Sequence, residues 1–188
     1  VDLDAASTIG LNAAISGVSG TVAIDATGTT TIAAAGDISA GGAVTFGAAK
    51  AGTLTTSGDV TTTDDDVTFT NAVTLGGAVS IDTGGVAAGN ILFSSTVGTA
   101  GNNLTLDAGP AGNVTLSGAL SGGGDLTVTD GAVQAYGALT VNSIDIQDAT
   151  TSVTLGGAVA STTTIGINSG GTIVQNGAIT SATTVDLD

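Results

Sequence analysis

Val67-Thr68-Phe69-Thr70 alternates apolar and polar side chains, and Val44-Thr45-Phe46 shows the same pattern earlier in the chain. The alternation returns in Val79-Ser80-Ile81-Asp82, Leu104-Thr105-Leu106-Asp107, Val114-Thr115-Leu116-Ser117 and Val153-Thr154-Leu155. A period of two is that of a strand with one buried face. Most of these segments run into Gly, Ala, Asn or Asp. No 3.6-residue period is sustained, and Gly and Thr are poor helix formers. The pattern predicts strands throughout and no helix.

The aromatic residues set a longer period. Phe46, Phe69 and Phe93 are almost evenly spaced. Extending that column gives Leu3, Ile24, Phe46, Phe69, Phe93, Leu116, Val141, Ile167 and Leu187, in eight nearly even steps. A second column, Leu54, Ile81, Leu106, Val128 and Leu155, lies roughly half a period away. Two offset columns with one long period predict a parallel β-solenoid of about eight rungs, each of about 23 residues with two or three strands. At ~4.8 Å per rung the rod would be roughly 38 Å long. A globular β-sandwich would show less regular spacing and a more aromatic core. Pro110 falls in a turn, where it costs no ladder bond. Asn176-Gly177 suits a corner with positive φ.

Val1-Asp2-Leu3-Asp4 returns as Val185-Asp186-Leu187-Asp188, at an offset of 184. The offset equals eight expected rungs. Residues 1–188 are therefore expected to be a single solenoid segment, one unit of a longer tandem array. An uncapped solenoid exposes strand edges at both ends, so self-association into filaments is expected.

Composition excludes much else. The 188 residues hold sixteen acids, all Asp, against one Lys, Lys50, for a formal charge of −15. His, Cys, Met, Trp, Glu and Arg are absent. Thiol chemistry, His-based acid–base catalysis and Cys/His metal sites are ruled out. One Lys cannot neutralise a run of phosphates, which excludes nucleic-acid binding. No apolar stretch is long enough to predict a membrane-spanning helix. The 31 glycines follow no G-x-y period, and 41% apolar residues is too many for a disordered chain. Few oxidisable side chains and one trypsin site suit a durable exposed material. Composition drift in a repetitive sequence would leave the same absences.

Asn90-Ile91-Leu92-Phe93-Ser94-Ser95-Thr96-Val97, Asn103-Leu104-Thr105-Leu106-Asp107-Ala108-Gly109 and Gly112-Asn113-Val114-Thr115-Leu116-Ser117-Gly118-Ala119 resemble repeats of giant bacterial surface proteins. These are the filamentous-haemagglutinin-like, two-partner-secretion and autotransporter adhesins and related β-strand-repeat proteins. The secretion domain typical of two-partner passengers has no counterpart in this sequence. The resemblance implies a right-handed parallel β-helix, secreted to the cell surface, serving as a stalk, adhesin shaft or matrix fibre.

The acids are the main candidates for chemistry. Asp82 and Asp107 end equivalent strands of neighbouring rungs, so they should stack roughly 5 Å apart and repel by about 1 kcal/mol in water. Asp64-Asp65-Asp66 form a loop cluster. Oxygen-only sites suit Ca²⁺, so Asp64, Asp65, Asp66, Asp82 and Asp107 are the candidate ligands. The alternative is a solvated acidic face that keeps rods apart. Gly122-Gly123-Gly124-Asp125 lacks the spacing of calcium-binding nonapeptides. A second ladder is expected from Asn142, Asn168 and Asp188 with Asp4 and Asp25.

Other classes find less support. Polysaccharide lyases built on β-helices need a basic residue, and Lys50 has no basic partner. A hydrolytic carboxylate pair needs a buried acid, and every Asp reads as exposed or in a turn, so no catalysis is expected. Thr53-Leu54-Thr55, Thr68-Phe69-Thr70 and Thr127-Val128-Thr129 have the form of ice-binding arrays, but one short interval and one very long one separate them, not one rung each. Asn103 and Asn113 match the glycosylation pattern and read as turn residues. Tyr136 is expected to pack at a corner. The wide stretch from Val128 to Leu155 is the break in regularity where a glycan or receptor would bind. The expectation is a non-catalytic extracellular fibre, stalk or adhesin shaft. The alternatives are a calcium-dependent surface layer or sheath and a glycan- or receptor-binding adhesin segment.

Overall fold

The computed structural model describes every residue except Ala88 and Ala182. The expected all-β parallel solenoid is present, and the described residues form no helix. Three strands make one turn and about nine turns stack, at about 21 residues per turn, a shorter period than the aromatic column suggests. The first turn is Asp2–Ala5, Ile9–Leu11 and Ile15–Val18. The last is Thr172–Gln175, Ile179–Ser181 and Thr184–Leu187. The three strands of each turn lie on three faces, here numbered 1 to 3 in chain order. Every strand pairs in parallel with its counterpart in the next turn.

Face 1 carries the aromatic column. Leu3, Ile24, Phe46, Phe69, Phe93 and Leu116 are successive register partners, as the spacing predicts. Beyond Leu116 the column continues through Tyr136, Leu155 and Gln175. It does not pass through Val141, which lies on face 2, or through Ile167 and Leu187, which lie on face 3. The second expected column is likewise split. Ile81, Leu106 and Val128 do stack on face 3, but Leu54 belongs to face 2 and Leu155 to face 1.

The physical reason is a change in turn length. The face 1 steps from Leu116 to Tyr136, Tyr136 to Leu155 and Leu155 to Gln175 are each shorter than any step before them. Strands Leu126–Tyr136 and Ile144–Leu155 continue without a break through the edge between faces 3 and 1, where earlier turns have loops. A constant step therefore overshoots into the next face. Leu3 and Leu187 consequently stand on different faces, and the offset of 184 does not join equivalent rung positions.

Inward positions are aliphatic because each strand offers alternate side chains to the bore. Phe46, Phe69 and Phe93 stack with ring centroids 4.8 and 4.3 Å apart and planes within 6°. That spacing is the interval between hydrogen-bonded parallel strands, so the backbone ladder dictates the ring geometry. Asn176-Gly177 does not take the positive φ that its turn composition suggests. Gly177 is required for close approach instead: a Cβ there would lie 2.3 Å from the Gly157 carbonyl oxygen.

Charge is segregated around the rod. Thirteen of the sixteen Asp residues lie on face 3 or its two flanking edges; Asp2, Asp4 and Asp25 lie on face 1. The strands of face 2 carry no charge. Their outward column runs Gly10, Thr31, Thr55, Thr74, Gly98, Ser121, Thr140, Ala160 and Thr180. The three Thr-x-Thr segments fall on three different faces and do not build one array.

An acidic edge as candidate functional site

The edge where face 3 turns into face 1 gathers all five expected metal ligands. Asp64, Asp65 and Asp66 form its loop below the fourth turn. Asp82 and Asp107 end the face 3 strands of the next two turns and are direct register partners. The structure adds Asp130, paired with Asp107, and Asp148 in the strand beyond. The signal for Asp130 lies in the numbering: it follows Asp107 by nearly the same step as Asp107 follows Asp82.

Most of these carboxylates serve the backbone. Asp64, itself at φ 60°, accepts the N–H groups of Val86 and Ala87 at 3.1 and 2.9 Å from the turn above. Asp82 accepts Gly84 N–H at 2.8 Å, and Asp107 accepts Gly109 N–H at 3.0 Å, each closing a local Asx turn. The Asp65 backbone carbonyl accepts the Thr62 hydroxyl. Among the described residues, no group of three or more acids is arranged to hold a metal ion.

Asp66 heads an amide ladder. Asn90 donates its backbone N–H and its side-chain amide to Asp66 Oδ1, both at 2.8 Å. Asn113 donates the same two groups to Asn90 Oδ1 at 3.0 and 2.9 Å. Val133 N–H then donates to Asn113 Oδ1 at 3.1 Å. Each Asn thus satisfies a backbone donor of the next turn while bonding back to the turn before. Asn90→Ala removes the middle rung and is expected to destabilise the rod by roughly 1–2 kcal/mol. Urea unfolding monitored by circular dichroism checks this, and an unchanged midpoint would show that water replaces the ladder at no cost.

The opposite edge, between faces 2 and 3, is built similarly. Asp37 accepts Asp59 N–H at 2.9 Å, and Asp59 accepts Ser80 N–H at 2.7 Å. Asn103 accepts Asp125 N–H at 3.1 Å. Asp125 accepts the Ser143 hydroxyl and the Asn142 amide, both at 2.7 Å, and these two bonds, the hydroxyl foremost, hold its carboxyl below the ordinary value. Asn103 and Asn113 lie just outside the strands Leu104–Asp107 and Val114–Leu116, as expected of turn residues.

Two expectations about the acids and the aromatic are corrected. Asp25 is only 7% exposed and accepts Ala49 N–H at 2.8 Å. It stacks on Asp4, whose carboxylate pairs with Lys50. Tyr136 is not at a corner but in the bore of the seventh turn, 2% exposed. Burial drives its phenol well above the usual range, and its hydroxyl donates to Gln134 Oε1 at 2.5 Å. Gln134, fully buried, occupies a position filled by Val114 one turn before and Val153 one turn after. The stretch from Val128 to Leu155 is irregular for this reason: its turns are short, and a polar pair sits in the core.

Asp130 differs from its neighbours in one respect. Its Oδ1 is shielded from solvent and has no hydrogen-bond partner. Burial raises its pKa, the Gly131 backbone N–H opposes this, and Asp148 and Asp107 raise it further. No family model, curated protein or solved structure matches this chain.

Proposed function

We propose that the chain is a non-catalytic segment of a secreted, cell-surface fibre, stalk or adhesin shaft of bacterial type, whose work is mechanical. The observation that supports this most is the use of its polar side chains. Asp64, Asp66, Asn90, Asn113, Asp37, Asp59 and Asp125 along two edges bond one turn to the next, so these polar groups are engaged in joining turns. Stability then sums over like units stacked along the axis.

A second reading, a calcium-set surface layer, rests on the gathering of Asp64, Asp65, Asp66, Asp82 and Asp107 on one edge. Thermal melting of the chain in millimolar calcium and in chelator, with electron microscopy of both samples, separates the two. Rods that melt alike and grow into filaments in both conditions support the structural fibre. Unfolding or depolymerisation in chelator alone would replace it with the calcium reading.

A further inference from the structure

We propose that Lys50 and Asp4 join covalently: the Lys50 amine condenses with the Asp4 carboxyl to form an isopeptide bond that staples the first three turns of the rod. Three observations carry it. First, Lys50, the one basic side chain in the sequence, places its Nζ in direct contact with Asp4 Oδ1. Second, the amine is held in place. The loop 47–52 follows the face 1 strand of the third turn and reaches back across the second, where Ala49 N–H donates to Asp25 Oδ1 at 2.8 Å. Asn71 Nδ2, from the fourth turn, donates to the Lys50 carbonyl at 2.6 Å, and Lys50 Nζ itself donates to the Ala5 carbonyl at 3.1 Å. Third, a second carboxyl stands beside the reacting one. Asp25 is the register partner of Asp4, lies in the turn that the contact spans, and is only 7% exposed.

The step balances without a co-reactant. Starting from ammonium and carboxylate, the Nζ–Cγ bond forms and one Cγ–O bond of Asp4 breaks. The nitrogen gives up two protons, which leave with that oxygen as water. Asp25 is the proton carrier, taking a proton from Nζ and passing it to the departing oxygen. Holding amine and carboxyl in contact makes the condensation unimolecular. The product amide keeps one N–H for the Ala5 carbonyl. As a mere ion pair, with side chains 23% and 59% exposed, the same two residues contribute little. The covalent bond closes a loop between positions 46 residues apart, ties the third turn to the first, and constrains the unfolded chain.

The test is the intact mass of the purified 188-residue chain, together with trypsin digestion in urea. The parent is expected to weigh one water less than its sequence. It is also expected to resist trypsin when unfolded, because Lys50 is the single cleavage site and an acylated lysine is not cut. Lys50→Arg keeps the ion pair and Asp4→Ala removes the acceptor; both are expected to show the full sequence mass and to be cut. Asp25→Asn keeps an oxygen for Ala49 N–H but cannot carry a proton, so it too is expected at full mass. A parent of full mass that trypsin cuts overturns the proposal and leaves an ion pair only. Loss of water with Lys50 still cleaved also overturns it, since that is succinimide formation at an Asp. Complete cross-linking in Asp25→Asn overturns the role given to Asp25.

Discussion

Phe69→Ala is expected to lower the stability of the chain by about 3–5 kcal/mol. Phe69 is the middle ring of a three-ring stack and is 2% exposed, so the substitution removes contacts on both ring faces. In a globular core, neighbours shift to fill part of such a cavity. Here they are held at a fixed interval. Phe69 pairs in register with Phe46 and Phe93, and backbone ladders prevent those two turns from closing on each other. The space beside the stack, lined by Ile24, Phe46, Leu54 and Val73, is only about 10 Å³, so loose packing does not already absorb the loss. Phe69→Leu keeps most of the volume, and Leu116 already occupies the same column, so about 1.5 kcal/mol or less is expected. Urea denaturation measures both. A loss below about 1 kcal/mol for the alanine variant would mean that the turns can collapse after all.

Gly124→Ala adds a single methyl group and is expected to cost about 1–3 kcal/mol. A Cβ at Gly124 would lie 1.7 Å from the carbonyl oxygen of Asn102 and 2.4 Å from its carbonyl carbon. Both are backbone atoms of the turn below and cannot rotate away. Gly124 is also pinned from both sides: its N–H donates to the buried Thr99 hydroxyl at 3.1 Å, and its carbonyl accepts Asn142 N–H from the turn above at 2.9 Å. Relief therefore means prising two turns apart at this edge. Gly20→Ala is the control, because nothing lies within 4 Å of its Cβ direction and its φ is ordinary. It should stay within about 0.5 kcal/mol of the parent. Equal effects at the two positions would show that general loss of glycine flexibility, not turn-to-turn contact, governs the edges.

Several parts of the acidic edge are legible in the residues. Asp82 and Asp107 close segments of identical form, which places them one above the other. The triple Asp64-Asp65-Asp66 stands out as a loop. Their tasks are not legible. Whether a carboxylate faces solvent, a cation or a backbone N–H depends on the loop one turn away, a full solenoid period along the chain. Asp64 illustrates this, since its partners are Val86 and Ala87. The Asn ladder from Asp66 through Asn113 is hidden for the same reason: its members read as ordinary turn residues until the turns are stacked.

By itself, the sequence determined that this chain is a parallel solenoid. Alternation with period two makes strands, and recurrence of Phe46, Phe69 and Phe93 at nearly constant spacing can bury those rings only if successive turns lie on one another. It also determined that thiol, imidazole and polybasic chemistry are absent. Tertiary structure alone decided the number of turns, the assignment of strands to three faces, and the isolation of Asp130. The reason is that register is a relation between turns. Val133 can follow Asp130 without a loop because the strand finds partners on both sides of the edge, in Asp107 and Asn113 before it and Ala149 and Ser152 after it. A strand that bends through an edge and one that ends there have the same local alternation. Only the hydrogen bonds to the neighbouring turn distinguish them.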